Sequence, residues 1–276
     1  MKAFRPANVV SYIILLVMSL FVVFPFVWTF VTSIKTDVQM FSIPPQWIPH
    51  PATAEHYRAV LQEGKFQSFI TNSLVVSIVS TAFSLAIGIP AAYGFAKHRY
   101  RFSGLFFAAI VAVRMFPPIV MGVPYFLMMR SLGLINTGLG LMIVYLPLEL
   151  TLIIWIMEGF FRQVPHEIEE AAEIDGLGTF RKFIRIAVPL SVPSIGVASI
   201  FSFLAAWNEF MFALTLTRSE SAQTMPVGIA GYVTTFQTFW GQMSATGILY
   251  IIPVILFTVF AQKGMIKGLT AGASKE

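Results

Sequence analysis

The stretch EEAAEIDGLGTFRKFIRIAVP, Glu169 to Pro189, carries seven charged residues among 21, in a chain that is only 11% charged overall. Five acids (Glu167, Glu169, Glu170, Glu173, Asp175) stand just ahead of three bases (Arg181, Lys182, Arg185). Lys and Arg in such a place are what any loop on the inner side of a membrane would carry. That rule accounts for the bases but not for the acids, nor for Ala171-Ala172 between them. Small residues beside carboxylates suit docking into a groove on another protein. Reaction chemistry finds no support elsewhere. The chain has no G-x-x-x-x-G-K-[ST] loop for ATP, no nucleophile elbow and no H-E-x-x-H. Its four His are scattered at 50, 56, 98 and 166, and it has no Cys, which excludes disulfides and thiolate metal sites.

Local signals order the charged stretch. Gln163-Val164-Pro165 reads as a helix start, since proline in a first turn forfeits no hydrogen bond. Glu167, Glu169 and Glu170 then lie near the positive end of the helix dipole. Gly176 follows Asp175 where a left-handed residue stops a helix. From Thr179 a second pattern sets Phe180, Phe183, Ile184 and Ala187 on one apolar face. Arg181, Lys182 and Arg185 fall on another face, where anionic headgroups could meet them.

The elements that must hold this loop are membrane spans. The chain is 57% hydrophobic, with a mean hydropathy of +0.77 and 27 Phe, whereas a soluble domain is about 25% charged. No Asp, Glu, Lys or Arg occurs in residues 6–34, 66–96, 186–208 or 221–262. A span needs about 20 apolar residues, so the expected fold is an all-α integral membrane protein, a single membrane domain over 1–276. Its six helices fall near 9–32, 69–96, 104–128, 138–161, 190–217 and 244–262, with a loop at 162–189 and a tail at 263–276. The first apolar run, at 29 residues, is too long for a signal-peptide core and reads as a retained helix. Twelve Lys and Arg fall on the side of the N-terminus (Lys2, Arg5, Lys97, Arg99, Arg101, Arg162, Arg181, Lys182, Arg185, Lys263, Lys267, Lys275). Five fall on the other (Lys35, Arg58, Lys65, Arg130, Arg218), which puts both termini and the charged loop in the cytoplasm. The net charge of +5 then reflects topology, not nucleic-acid binding.

Two charges fall deep in apolar helices, where each costs about 2.5–3.5 kcal/mol on insertion scales. At ~1.5 Å per residue, Arg114 and Glu149 both come to lie about 16 Å inside. They pair, or both line a wet cavity, or each faces a partner subunit. Glu158 reads as a snorkelling or loop-facing residue near the inner end of its helix. Pro90, Pro117, Pro118, Pro147 and Pro253 interrupt helices, either as ordinary kinks or, around Met115–Pro118, as a bend about a substrate path.

Glu170-Ala171-Ala172, three residues, Gly176, nine residues, then Ile186-Ala187-Val188-Pro189 resembles the E-A-A … G … I-x-L-P signature of bacterial ABC importer permeases, with Val188 in place of Leu. Trp207-Asn208-Glu209-Phe210 and the terminal GLTAGASKE are similar to passages of the carbohydrate type, the maltose-permease-G-like subunits. The likeness covers most of residues 70–276. It implies that Glu170, Ala171, Ala172, Asp175, Gly176, Ile186 and Pro189 form a coupling helix in a cleft of a cytoplasmic ATPase, and that the tail with Thr270, Ala271 and Gly272 enters the ATPase pair. It also implies a heterodimer with a second permease, two ATPase subunits holding ATP and Mg²⁺, an extracytoplasmic solute-binding protein and a sugar substrate. The chain itself would be no enzyme, would hold no cofactor or metal, and would lie in a bacterial or archaeal plasma membrane.

Arg114, Glu149, Asn208 and Glu209 are the candidates for the translocation path, Glu209 at a gate or in subunit packing. Trp155, Trp207, Tyr125 and Tyr145 could stack on a sugar ring, or serve interface belts and core packing. The loop at 219–243, with Gly228 and Gly231, is the candidate for contact with the binding protein. Rival readings are a permease for a polyol, glycerol phosphate or peptide, and a standalone ion-coupled transporter or channel.

Overall fold

The computed structural model describes residues 6–98 and 101–273, with side chains described over 10–98 and 101–260. Lys2, Arg5, Arg99 and Lys275 of the charge count lie outside the described residues. The side chains of Lys263, Lys267, Thr270, Ala271 and Gly272 do so too, although the backbone there is helical.

Among the described residues the regular elements are all helices, joined by turns and irregular segments, apart from one isolated bridge between Val233 and Thr238. In order the helices are α1 (Pro6–Ser33), α2 (Asp37–Met40), α3 (Glu55–Gln62), α4 (Lys65–Lys97), α5 (Ser103–Ala112), α6 (Pro118–Ser131), α7 (Gly138–Gln163), α8 (His166–Ile174), α9 (Thr179–Lys182), α10 (Val188–Leu190), α11 (Val192–Trp207), α12 (Met211–Leu216), α13 (Met225–Ala230) and α14 (Trp240–Ala273). Four are long and apolar enough to cross a membrane singly: α1, α4, α7 and α14. Two bent pairs raise the count to six.

Both bent pairs correct the sequence expectation. The third span was expected as one helix over 104–128. Instead α5 runs into a 3₁₀ turn, Val113–Met115, and α6 leaves at 99° to it. Two consecutive prolines cause the break. Phe116 before them is extended (φ −75°, ψ 124°), as a residue ahead of proline prefers, and Pro118 opens the next helix where a missing N–H does no harm. The fifth span, expected over 190–217, also breaks. It turns by 77° between Leu190 and Val192, and α11 ends at Trp207 with Asn208 Nδ2 donating to Leu204 O at 2.9 Å. The last helix begins at Trp240 rather than near 244 and continues to Ala273.

Two compact units divide the chain. Residues 1–66 and 229–251 form the first. Its α1 carries the apolar span Val10–Ser33, exposed along the whole of residues 10–27. Ser33, at the end of α1, meets the Tyr57 hydroxyl at 2.7 Å. Gln39 fastens the segment after α1 by donating to His50 O at 2.6 Å. Gly241 permits α14 to meet α3: a Cβ there would lie 2.3 Å from the His56 ring.

Residues 67–228 and 252–276 form the second unit. One core packs Val144, Tyr145, Leu141, Phe212 and Leu216; another packs Tyr93, Met157, Phe161, Phe183 and Ala198. Along α4 the small polar residues Ser73, Ser77, Ser80, Thr81 and Ser84 are buried, a helical face that lets neighbouring backbones approach closely. Asn136 ties the turn before α7 to the end of α12, its N–H donating to Leu216 O and its Oδ1 accepting from Arg218 N and Ser219 N.

Candidate functional site

The charged loop is built as a rigid bracket. Pro165 stands at the N-cap of α8, and the acids Glu167 and Glu169 occupy the first turn. The helix stops in a Schellman motif. Gly176 N donates to Glu173 O at 2.9 Å, and Leu177 N to Ala172 O at 2.9 Å. Gly176 has φ +78°, a conformation that costs a residue with a Cβ roughly 1–2 kcal/mol.

Side chains then lock α8 to the rest of unit two. Lys97 Nζ donates to Val164 O at 2.8 Å and lies 3.4 Å from Glu169 Oε1. The Tyr93 hydroxyl donates to the same Glu169 oxygen at 3.4 Å. Across the glycine turn Lys182 pairs with Glu173. That pair holds the Glu173 carboxyl below its ordinary value, first through the hydrogen bond from Lys182 and then through its charge. Ala172 packs inward, whereas Glu170, Ala171, Asp175 and Gly176 are exposed. Ile174 is 87% exposed and Phe180 76%. An acidic rim with projecting apolar side chains is thus presented outward on a braced support.

Beyond Gly178 the sequence expectation needs correction. Phe180, Phe183, Ile184 and Ala187 were expected on one apolar face, with Arg181, Lys182 and Arg185 on another. Residues Phe183–Ala187 instead form a π-turn, which alters the angular phase of the helix. Phe183 and Ala187 face the core, Lys182 is buried with them, and Phe180 and Ile184 point outward. The Lys182–Glu173 pair explains the inward lysine. Of the two remaining signature residues, Ile186 is half-buried and Pro189 exposed.

Glu149 is the most deeply buried carboxylate of the described chain, 1% exposed. The expected partnership with Arg114 does not form. Three hydroxyls of α4 surround the carboxylate instead: Ser84 Oγ donates to Oε2 at 2.6 Å, and Ser80 Oγ and Thr81 Oγ1 donate to Oε1 at 2.9 and 3.4 Å. Arg114 sits in the 3₁₀ turn between the bent halves and is exposed. Glu158 is buried and pairs with Arg162 one turn later.

The sequence offered a signal for the hydroxyl cradle that charge counting passed over. Ser73, Ser77, Ser80 and Ser84 recur at intervals of four, three and four, one face of a helix. Asn208 caps α11, and Glu209 lies where the backbone leaves it. Glu209 accepts from Phe212 N at 2.8 Å and from Ala213 N at 3.0 Å, which satisfies free donors at the start of α12. The Tyr145 hydroxyl turns toward the same carboxylate. Trp207 and Tyr145 are core residues, and Tyr125 packs edge-on against Phe212. Trp155 is exposed, beside a cavity of about 500 Å³ that Glu158, Gln163 and Ser194 also line. Among the described residues no group of three or more His, Asp or Glu is placed to hold a metal.

Known proteins share this architecture. A structure of a bacterial ABC transporter involved in the import of the acidic polysaccharide alginate superposes with a TM-score of 0.77 at 21% identity, covering 95% of this chain and 99% of that one. The sulfoquinovosyl glycerol transport system permease protein SmoH of Agrobacterium fabrum is 34% identical over 98% of this chain and 94% of its own length. The trehalose/maltose transport system permease protein MalG of Thermococcus litoralis is 32% identical over 94% of each. Residues 84–269, more than half of the chain, match the family described as binding-protein-dependent transport system inner membrane component. The chain belongs to that family and is an ABC transporter permease of the carbohydrate type.

Proposed function

We propose that this chain is one of two pore-forming subunits of an ATP-driven sugar importer, and that the loop around Glu170–Gly176 is its handle for a cytoplasmic ATPase. The observation that carries the reading is the bracket itself: α8 offers Glu170, Ala171, Asp175 and Ile174 outward while Lys97, Tyr93 and Lys182 pin its acids from behind. A push on the exposed side reaches α4 through Glu169 and the segment before α11 through Glu173, with little slack. Ile186 and Pro189 lead that motion into the bent fifth span. Thr270, Ala271 and Gly272 end the last helix on the same side under the positive-inside topology, where they enter the ATPase pair.

ATP and Mg²⁺ act on the ATPase subunits, whose closure moves the handle as a lever. A second permease completes the path, and an external binding protein delivers solute to the segment 219–243. Arg114, Glu149, Asn208 and Glu209 border the path. The broken backbone at Phe116–Pro118 and at Asn208–Glu209 is where such a path runs, since irregular backbone at membrane depth is tolerated beside water or protein. The sugars for which these relatives are named, sulfoquinovosyl glycerol and trehalose/maltose, make a small glycoside the substrate class. The assembly lies in a bacterial or archaeal plasma membrane.

The test separates coupling from insertion. Glu170→Ala and Gly176→Val are expected to lower uptake by about 5–150-fold, the range of a coupling free energy, while the assembled transporter still hydrolyses ATP and is present at normal level in the membrane. Unchanged uptake in both variants removes the assignment. A ligand screen on the cognate binding protein decides between a sugar and a polyol, glycerol phosphate or peptide.

A further inference from the structure

Lys35 stands two residues beyond α1 and is 3% exposed, yet among the described residues no carboxylate is paired with it. Its ammonium lies 4.4 Å from the centre of the Trp28 ring. The nearest acid in sequence, Asp37, turns to solvent and lies 3.9 Å from His56 Nε2; the contact of His56 with Lys35 is to its main-chain oxygen, at 2.8 Å. A buried charge answered only by a ring face keeps most of its desolvation cost. The side chain also lines a cavity of about 290 Å³ with Trp28, Thr32, Met40, Phe41 and Trp240.

The lining states what fits. Thr32 commits its hydroxyl proton to Trp28 O at 2.8 Å, so the one strong polar group is a cation. A sugar needs several donors and acceptors as well as a free ring face. Here Trp28 already meets Lys35 on its face and Trp47 edge-on at 5.1 Å. The rest of the rim is apolar, and α1 beside it presents an exposed apolar surface over residues 10–27. One anionic charge above a hydrocarbon tail matches both halves. Tryptophans gather at the headgroup level of membranes, which places the cavity at that depth. We propose that Lys35, Trp28 and Trp240 form a binding site for a phosphate group, carried on a phospholipid headgroup whose acyl chain follows α1.

This site depends on the membrane reading of the chain and not on which solute is moved. The test uses the assembled transporter in detergent and reads tryptophan fluorescence, not uptake. Dioctanoyl phosphatidic acid is expected to give a saturable change, and dioctanoylglycerol, with the same chains and no phosphate, none. Lys35→Met should weaken the phosphatidic acid response by at least about tenfold, the loss of one charge-assisted bond, and Lys35→Arg should retain it. Should Lys35→Met fail to fold, the contrast between the two lipids on the unaltered chain and on Lys35→Arg still decides.

Equal responses to both lipids, or an unweakened response in Lys35→Met, overturn the proposal. Inorganic phosphate binding as tightly as phosphatidic acid assigns the site to a free anion and overturns its lipid half. Zero-length carbodiimide cross-linking of Lys35 to a carboxylate of another subunit, with no lipid response, gives the site to a protein partner and overturns it outright.

Discussion

Glu173 and Glu149 carry the same carboxylate and meet opposite treatment. Glu173, on the charged loop, is answered by a full opposite charge on Lys182, and the pair stays largely in solvent on the glutamate side. Glu149, inside unit two, is answered by neutral hydroxyls fixed on one helix. On the loop, water remains around the Glu173 carboxylate and screens the pair, so the net gain is small even though Lys182 is buried. In the interior a second charge would itself need desolvating, whereas short hydroxyl side chains arrive already held by their helix. The two sites therefore should differ in what they support: Glu149 the folded state, the loop the transmission of movement.

The largest expected effect lies on the interior side of that comparison. Ser80→Ala with Ser84→Ala removes the two shorter hydrogen bonds to Glu149 and should destabilise the protein by about 3–5 kcal/mol, read by thermal unfolding in detergent. Glu149→Gln, which no longer buries a carboxylate, should cost less than that double change. A loss below about 1 kcal/mol for the double serine variant would mean that the cradle is dispensable and that the contrast between the two glutamates is one of appearance.

Packing supplies a yardstick for these polar effects. A Cβ at Gly228 would lie 2.3 Å from the Phe69 ring, so Gly228→Ala must displace an aromatic side chain. The expected loss is roughly 1–3 kcal/mol, measured by the same unfolding assay. If it exceeded the loss from the double serine change, close packing rather than hydroxyl donation would dominate unit two.

What the sequence disclosed follows the same division. The loop was legible because its signals are local: a proline at the start of α8, acids in its first turn and a glycine whose positive φ closes it all act within a few residues. The Glu149 cradle was not, because a membrane charge advertises its need for a partner without saying which helix supplies it. Matching depth pointed to Arg114, whereas the cradle came from a face of α4 whose serines, being uncharged, a count of charges passes over. The broken spans were half legible. Pro117 and Pro118 announced an interruption, but proline content fixes no angle, and the 99° turn depends on what α5 and α6 pack against. The π-turn at Phe183–Ala187 left no mark in composition, and neither did the outward placement of Phe180 and Ile184.

Gly176 tests the loop at an intermediate scale. Gly176→Val should lose roughly 1–2 kcal/mol from the left-handed backbone, and Gly176→Asn should recover most of it, because asparagine tolerates that region. Equal losses for the two residues would point to a steric cause, which the open space around this glycine argues against.

The smallest effect concerns Glu173, and its sign can be fixed in advance. Its folded-state carboxyl lies below the ordinary value of 4.5, with Lys182 as the cause. A depressed carboxyl stabilises the folded loop above the ordinary value, and that stabilisation is lost as the pH falls through the depressed one. The Gly176 and Leu177 amides donate to Glu173 O and Ala172 O, so their exchange protection reports the bracket directly. After correction for intrinsic rates, protection should hold constant above the glutamate range and decline below it. Lys182→Met should begin lower and show little dependence on pH in the same window, since the cause of the shift is gone. Parallel pH profiles in the two proteins would mean that the Schellman turn holds itself, and the surface pair would then matter only when something pulls on the loop.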